Sequence, residues 1–438
     1  MSVPRYPEYK DSGVAWLGEV PAHWEVCALK RITDLKSGES ITAEDIEGTG
    51  EFAVFGGNGL RGFTTSYTHE GTYALIGRQG ALCGNVNYAT GKFWASEHAV
   101  VATPKVEVKT HWLGELMRAM NLNQYSVSAA QPGLSVEIVG NLRIPVPPFT
   151  EQTAIATFLD RETAKIDALV AEQEKLIALL QEKRQAVISH AVTKGLDPNV
   201  PMKDSGVEWL GEVPGHWEPK RLKFLASNIK AGPFGSALTK DMYVGSGYRV
   251  YGQEQVIPGD FSIGDYYVDE AKFSELSQYE TRPDDVLISC VGTFGKIAVV
   301  PAAAAPGIIN PRLIRLRAAK NVIPLFLAEV LRSTVTFEQF SVLSRGGTME
   351  VINIGTLSDI WIALPPKAEQ TAILNEITTQ MARFDALTAE ANTAITLLQE
   401  RRTALISAAV TGQIDVRGLA GGADAPDSIA ASAYPASA

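Results

Sequence analysis

Phe55-Gly56-Gly57-Asn58-Gly59 is the first stretch whose residue types could do chemistry, because it has the spacing of a glycine loop that cradles S-adenosylmethionine. Such a loop must end a strand, open a helix and precede an Asn/Asp-Pro-Pro-aromatic catalytic motif. No such tetrapeptide occurs, and the LRGFTTSY that follows is made of poor helix formers. Gly292-Thr293-Phe294-Gly295-Lys296 resembles the end of a phosphate-binding loop. It lacks four intervening residues and the hydroxyl residue after lysine, and reads as a β-turn. Glu270-Ala271-Lys272 has the form of a nuclease acid-x-Lys string, but Pro258-Gly259-Asp260 is a poor partner for it. Cys27, Cys83 and Cys290 form no CxxC pair, and the six histidines show no metal-ligand spacing. No Ser/His/Asp or Cys/His grouping is evident, so no active site is expected in this chain.

The elements around these residues are more informative, because the chain repeats itself. KDSGVAWLGEVPAHWE (10–25) recurs as KDSGVEWLGEVPGHWE (203–218), differing only at Ala15/Glu208 and Ala22/Gly215. PPFTEQTAI (147–155) recurs as PPKAEQTAI (365–373), and LLQEKRQAVISHAVT (179–193) as LLQERRTALISAAVT (397–411). The first block repeats at an offset of 193 and the later ones at 218, so the second copy holds 25 more residues between its matched ends. Residues 26–144 and 219–362, lying between those ends, share little identity.

Each double proline, Pro147–Pro148 and Pro365–Pro366, marks a helix start. Ile155, Leu159, Ile166, Leu169, Leu176, Leu180 and Val187 give an apolar seam, matched by Ile373, Ile377, Phe384, Leu387, Ala394, Leu398 and Leu405. The first helix is expected to end near Gly195, and Gln413 with Asp415 marks the equivalent place. About 43 residues make a rod of roughly 65 Å. A lone helix on a globular surface is the plainer alternative, but equal length and matched seams favour an antiparallel pair. The diverged regions read as mixed α/β. Strands are expected at 72–77, 99–104, 285–291, 296–300 and 312–317, and short helices at 111–121 and 323–333. Gly80/Gly84 and Gly292/Gly295 mark the same turn after the same strand. Trp16, Trp24, Trp209 and Trp217 are expected to clamp each domain's first strand onto the helix ends, with ligand stacking as the alternative.

The 438 residues are too many for one core, and 45% hydrophobic with 20% charged residues is ordinary globular composition. No uninterrupted apolar run of about 18 residues suggests a membrane span, and MSVPRYPEYKDSG lacks a signal-peptide layout. A reducing cytoplasm is expected. The net charge of −10 is uneven: residues 26–144 hold ten basic and eleven acidic side chains, and 219–362 hold fifteen and fourteen. The diverged regions are thus near neutral and the acidity lies on the connecting segments. Such domains cannot depend on charge alone to hold DNA.

The duplicated order SGVxWLGEVPxHWE, diverged domain, PPxxEQxxI and long helix ending LLQE[KR]R resembles the specificity subunit of Type I restriction–modification enzymes, over residues 1 to about 416. The resemblance implies an α+β fold with two mixed α/β target recognition domains (1–146 and 198–364). Two long antiparallel helices (147–197 and 365–416) would form a coiled-coil-like spacer in a pseudo-twofold tandem repeat. Apart from the resemblance, the low-complexity composition of the tail at 417–438 predicts that it is disordered. It implies a non-catalytic chain that binds double-stranded DNA at an asymmetric bipartite target, together with two modification (M) and two restriction (R) subunits. S-adenosylmethionine, ATP and Mg would sit on those partners, and no membrane is involved. Base-edge readers expected on loops are Asn58, Arg61, Arg78, Gln79 and Asn85 in the first domain. In the second they are Gln253, Lys296, Asn310, Arg312 and Arg345. The DNA-reading part of a single-chain restriction–methylation system, or a protein scaffold that binds no DNA, are the alternative readings.

Overall fold

The computed structural model describes residues 4–80, 82–126, 133–290, 296–343 and 352–419. Arg345, Gly292 and Gly295 lie outside the described residues, as does all of the tail beyond Leu419. The chain forms two compact units, one from residues up to Gln173 and from Asn392 onward, the other from Glu174–Ala391.

The first unit is built on a six-stranded sheet in the order Thr33–Ser37, Ala99–Pro104, His69–Gly77, Val86–Ala95, Phe52–Gly56, Gly59–Thr64. All its pairs are antiparallel except Phe52–Gly56 beside Val86–Ala95. Its central strands are buried on both faces, which explains their continuous apolar runs. Ala74, Ile76, Val100 and Ala102 pack with Trp112, Leu113, Leu116 and Met117 of the helix Thr110–Ala119. Leu75 and Val101, on the opposite face, pack with Ala89 and Phe93.

The second unit divides the same plan between two four-stranded sheets. One runs Ala226–Ala231, Leu313–Ala318, Val286–Ser289, Ile297–Val299, and the other Tyr267–Val268, Tyr248–Tyr251, Gly307–Ile309, Glu280–Thr281. The expected strands and the short helices (Thr110–Ala119 and Pro324–Arg332) are present. Corresponding backbone bonds align the two units despite their low identity. Ser96 N donates to Phe55 O as Asn310 N does to Tyr251 O, and Gly38 N to Ala99 O as Gly232 N to Leu313 O. Arg78 N donates to His98 O as Cys290 N does to Arg312 O. Between Phe55 and Ala95 lie 39 residues, and between their counterparts Tyr251 and Ile309 lie 57. Most of the extra length therefore enters here, as Gln253–Val256, Glu270–Glu275 and the strand pieces beside them.

The long helices span Phe149–Lys194 and Lys367–Val410. Pro148 O accepts from Glu151 N and Gln152 N, and Pro366 O from Glu369 N and Gln370 N, so each double proline sets the first turn. The apolar seam differs from its sequence reading. Leu169 is 51% exposed, Leu176 40% and Leu387 45%. The covered positions are instead Leu159, Thr163, Ile166, Val170, Gln173, Ile177, Leu180, Arg184, Val187 and Ala191, alternating by four and three. Ile377, Met381, Phe384, Thr388, Ala391, Ile395, Leu398, Arg402, Leu405 and Ala409 repeat the pattern. A strict heptad seam selects the next residue along from Leu169 and Leu176, whatever their hydrophobicity. In the first unit Ile155 and Leu159 share a core with Leu405, Ile406, Ala409 and Val410, and Arg402 Nε donates to Asp167 Oδ1 at 3.0 Å. The two segments therefore run antiparallel within that unit. In the second, Ala191 and Val192 share a core with Ile373 and Ile377, and Arg184 pairs with Asp385.

The repeated blocks meet at the helix ends. In the first unit Trp24, fully buried, donates from Nε1 to Glu151 Oε2 at 2.9 Å, while His23 Nε2 lies 2.7 Å from Oε1. Trp217 and His216 hold Glu369 in the same way in the second unit, at 3.1 and 2.7 Å. The Trp24 and Pro21 rings press on Gly412, and those of Trp217 and Pro214 on Gly195. Both glycines have positive φ, and at Gly412 a Cβ would stand 2.4 Å from Pro21 Cδ. The positive φ favours glycine at both helix ends, and at Gly412 the rings also leave no room for a Cβ. The left-handed residue after the second helix is thus Gly412, one place before Gln413. Trp16 and Trp209 are half-buried, Trp16 packing against the first core, and the bonds to the helix starts are made by Trp24 and Trp217.

The neighbouring glutamine has its own task. Gln152, buried, donates to Pro147 O and accepts from Lys109 N, fastening the start of helix Thr110–Ala119. Gln370 does the same with Pro365 O, Asn321 O and Ile323 N. The Glu-Gln dipeptide therefore divides two attachments, the glutamate to the tryptophan block and the glutamine to the short helix.

His111 adds a titratable link in the first unit. Its Nδ1 lies 2.5 Å from Asp160 of the long helix and its Nε2 3.5 Å from Glu115. Burial opposes the charged ring, but the hydrogen bonds to Asp160 and Glu115 prevail, and the pKa is pushed up to about 9. A raised histidine pKa stabilises fully below the unfolded value of about 6.5 and ceases to do so as pH rises through about 9. Because Asp160 is largely exposed, the expected loss between pH 6 and 10 is on the order of 2 kcal/mol. Hydrogen exchange in the first unit should show it, and His111→Gln should flatten the dependence. An unchanged pH profile in that variant would refute the link.

Candidate nucleic-acid interface

The polar residues expected on loops gather near the strand ends of each sheet, although Arg61 lies within the strand Gly59–Thr64 and Gln253 opens the short helix Gln253–Val256. In the first unit Phe52–Gly56 and Gly59–Thr64 form a hairpin closed by Gly57-Asn58, so the FxGxG stretch turns back as a strand and opens no helix. Gly57 packs on Gly77: its carbonyl oxygen lies 2.1 Å from where a Cβ on Gly77 would stand. That approach brings Asn58 to Asn85, whose Nδ2 donates to Asn58 Oδ1 at 3.0 Å. It also brings the hairpin against Gln79 and His98. Arg78, half-buried, donates from Nη1 to Ser37 Oγ at 3.0 Å, and Gln79, exposed, bridges to Gly133. Arg78 and Gln79 line an open cavity of about 430 Å³ with Ser37, Gly133, Ser135 and Glu137. Arg61 is exposed one strand position further on, its stem lying over Gly56. The structure thus joins Asn58 to Asn85 and sets Arg78 and Gln79 on the adjoining backbone, with Arg61 lying over Gly56.

In the second unit Gln253 Nε2 donates to Ser289 Oγ at 2.7 Å, and Arg312 Nη1 approaches Gln253 Oε1 at 3.4 Å. Asn310 Oδ1 accepts from Arg312 N at 2.9 Å, fixing the turn that carries the guanidinium. Lys296, exposed, is tied in through its carbonyl, which accepts from Ser289 N. Gln253, Asn310 and Arg312 therefore form one cluster, with the exposed Lys296 joined to it through its backbone, while Arg345 falls outside the described residues.

Other arginines of this unit are spent internally. Arg317 Nε donates to the buried Asp285 at 2.8 Å, Arg315 is buried beside the same carboxylate, and Arg249 stacks on Tyr267. Its near-neutral balance thus leaves the exposed Arg312 and Lys296 as the cations of the cluster. Side chains aimed outward from several strand ends can offer donors and acceptors to base edges, which is what direct readout requires. Sequence reasoning passed over Ser37, Ser289 and His98. A lone serine carries no pattern, and His98 becomes visible only through its bond to Arg78. Among the described residues, no group of three His, Cys, Asp or Glu is placed to hold a metal, and no helix is long and apolar enough to cross a membrane.

Comparison with known proteins gives consistent results. The model of the Type I restriction modification DNA specificity domain matches twice, over residues 21–178 and 236–397. A type I restriction enzyme EcoprrI specificity subunit from Escherichia coli is 42% identical over 137 residues, which is 30% of this chain and 34% of that protein. A putative type I restriction enzyme specificity subunit from Haemophilus influenzae is 24% identical over 348 residues, 78% of this chain and 82% of that protein. Among solved structures, one from a study of assembly and conformational transition of the type I R-M system has a TM-score of 0.60 at 18% identity, covering 89% of this chain and 98% of that one. The HsdS subunit of Thermoanaerobacter tengcongensis has a TM-score of 0.52 at 18% identity, covering 90% and 98%. These two likenesses concern the fold. With the family model matching both copies of the repeat across most of its length, this chain belongs to the Type I restriction–modification DNA specificity family.

Proposed function

We propose that this chain supplies the DNA address of a Type I restriction–modification complex and leaves the reactions to its partners. Domains 1–146 and 198–364 each read one half of a bipartite target, through the clusters around Arg78 and Arg312. The observation that carries this reading is the pairing of one repeated framework with two unlike polar clusters. Asn58, Arg78, Gln79 and Asn85 occupy one sheet end, and Gln253, Lys296, Asn310 and Arg312 occupy the other. Unlike readers on like frameworks give an asymmetric target, and the paired helices hold the halves a set number of base pairs apart.

The repeated scaffold suits two copies of one partner, the M subunit with its S-adenosylmethionine and adenine-N6 chemistry. Two R subunits with ATP and Mg complete the complex. Because both domains are near neutral, much of the phosphate neutralisation comes from those partners. DNA band-shift with and without M, followed by single-molecule methylome sequencing of a host expressing both, tests the reading. The expected result is tight sequence-specific binding only in the assembly, and methylation at an asymmetric two-part motif. An assembly with no sequence preference on any genomic DNA would overturn it.

A further inference from the structure

We propose that His98 is a base-reading residue of the first domain, occupying the seat that Arg312 holds in the second. The inference rests on the DNA-reading function proposed above and extends it to a residue that the loop patterns do not pick out. The two seats correspond by backbone bonding. His98 O accepts from Arg78 N at 2.9 Å, and Arg312 O accepts from Cys290 N at 3.0 Å. Two residues earlier, Ser96 N and Asn310 N both donate to the strand alongside, at Phe55 O and Tyr251 O. The next residues, Ala99 and Leu313, both accept at their carbonyls from the glycine that ends the edge strand. Three independent bonds thus fix the same register over 96–99 and 310–313.

The chemistry at the two seats is complementary. The second domain has its cation at Arg312 and the uncharged Cys290 at the facing place, whereas the first has Arg78 there and His98 opposite. The reading position is therefore kept while the cation changes strand. The His98 side chain is 44% exposed, whereas Ser96 is fully buried, so the histidine is the outward residue of its turn. Its Nε2 lies 3.1 Å from Glu97 Oε1, which orients the ring, and its carbonyl lies against Gly57, beside Asn58. An imidazole held there can offer a donor or an acceptor to a base edge. The backbone of Arg78 bonds its carbonyl, and Gly57, next to Asn58, lies against that carbonyl and that of Gln79, so its contact would fall within the half-site they read.

The test is methylome sequencing with the M subunit for wild type, His98→Ala and His98→Arg. His98→Ala should relax one position of one half-site, with discrimination there falling about tenfold or more. His98→Arg should shift that same position towards guanine, because a guanidinium bonds O6 and N7 together. The other half-site and the spacer should not change. Base preferences identical to wild type at every position in both variants would overturn the inference and leave the proposed function standing. Uniformly weaker methylation of an unaltered motif would also overturn it, since that is the mark of a structural residue. A wild-type assembly that methylates no bipartite motif would overturn both.

Discussion

Trp24→Ala is expected to destabilise the first unit by about 3–5 kcal/mol, and Trp217→Ala to do the same to the second. Each indole is fully buried, fills the space over a helix-ending glycine and donates to a glutamate at the other helix's first turn. Truncation opens a cavity and also removes one of the donors holding the carboxylate. Trp24→Phe separates these effects, since it keeps most of the packing and loses the N–H to Glu151, at a cost of about 1–2 kcal/mol. A chain of two units does not unfold in one step, so residue-resolved hydrogen exchange is the right measure. Loss of protection confined to the unit carrying the substitution is the expected pattern. A Trp24→Ala chain with wild-type protection around Glu151 and Gly412 would refute the clamp.

Lengthening the spacer should alter the target without altering what is read. Four residues added between Ala171 and Glu174, and four at the matched place between Ala389 and Asn392, add about 6 Å of helix. At about 3.4 Å per base pair this corresponds to roughly one to two more unread base pairs. Both insertions fall where the two compact units divide, away from the tryptophan clamps and the polar clusters. Four residues are a stutter that a heptad seam absorbs by local unwinding. The methylome of such a variant should show both half-sites unchanged and further apart. Half-sites of altered sequence would contradict the proposed division of labour between helices and domains.

The scaffold was legible because its residue types are dictated by contacts that recur twice. Tryptophan, glutamate and glycine have few substitutes where an indole must meet both a carboxylate and a bare backbone. The seam was legible as a repeat but not in detail. Leu169 and Leu176 have the hydrophobicity of seam residues, yet the heptad phase covers Val170 and Ile177 beside them. The work of Gln152 and Gln370 was hidden, because a glutamine at a helix start reads as solvated until its bonds to another element are known. The polar clusters are assembled from strands far apart in the chain. Asn58, Arg78 and Asn85 could be suspected singly, but their meeting depends on Gly57 lying against Gly77. His98 and Arg312 share neither residue type nor flanking sequence. Their equivalence rests on carbonyl and amide partners, which no residue pattern records.

The clamps also carry a consequence for topology. In the second unit, Trp217 closes over a helix end, Gly195, that lies just before it in the chain. In the first, Trp24 closes over Gly412, and Asp415 N donates to Pro4 O at 2.7 Å, so segments remote in sequence form the same joint. The order of elements is therefore circular: block, domain, helix, block, domain, helix, and back to the first block. A permutant opened between Asp197 and Asn199, with residues near 417 bridged to residues near 4, would keep both joints. Connectivity could thus be moved from one joint to the other while every contact within each is retained.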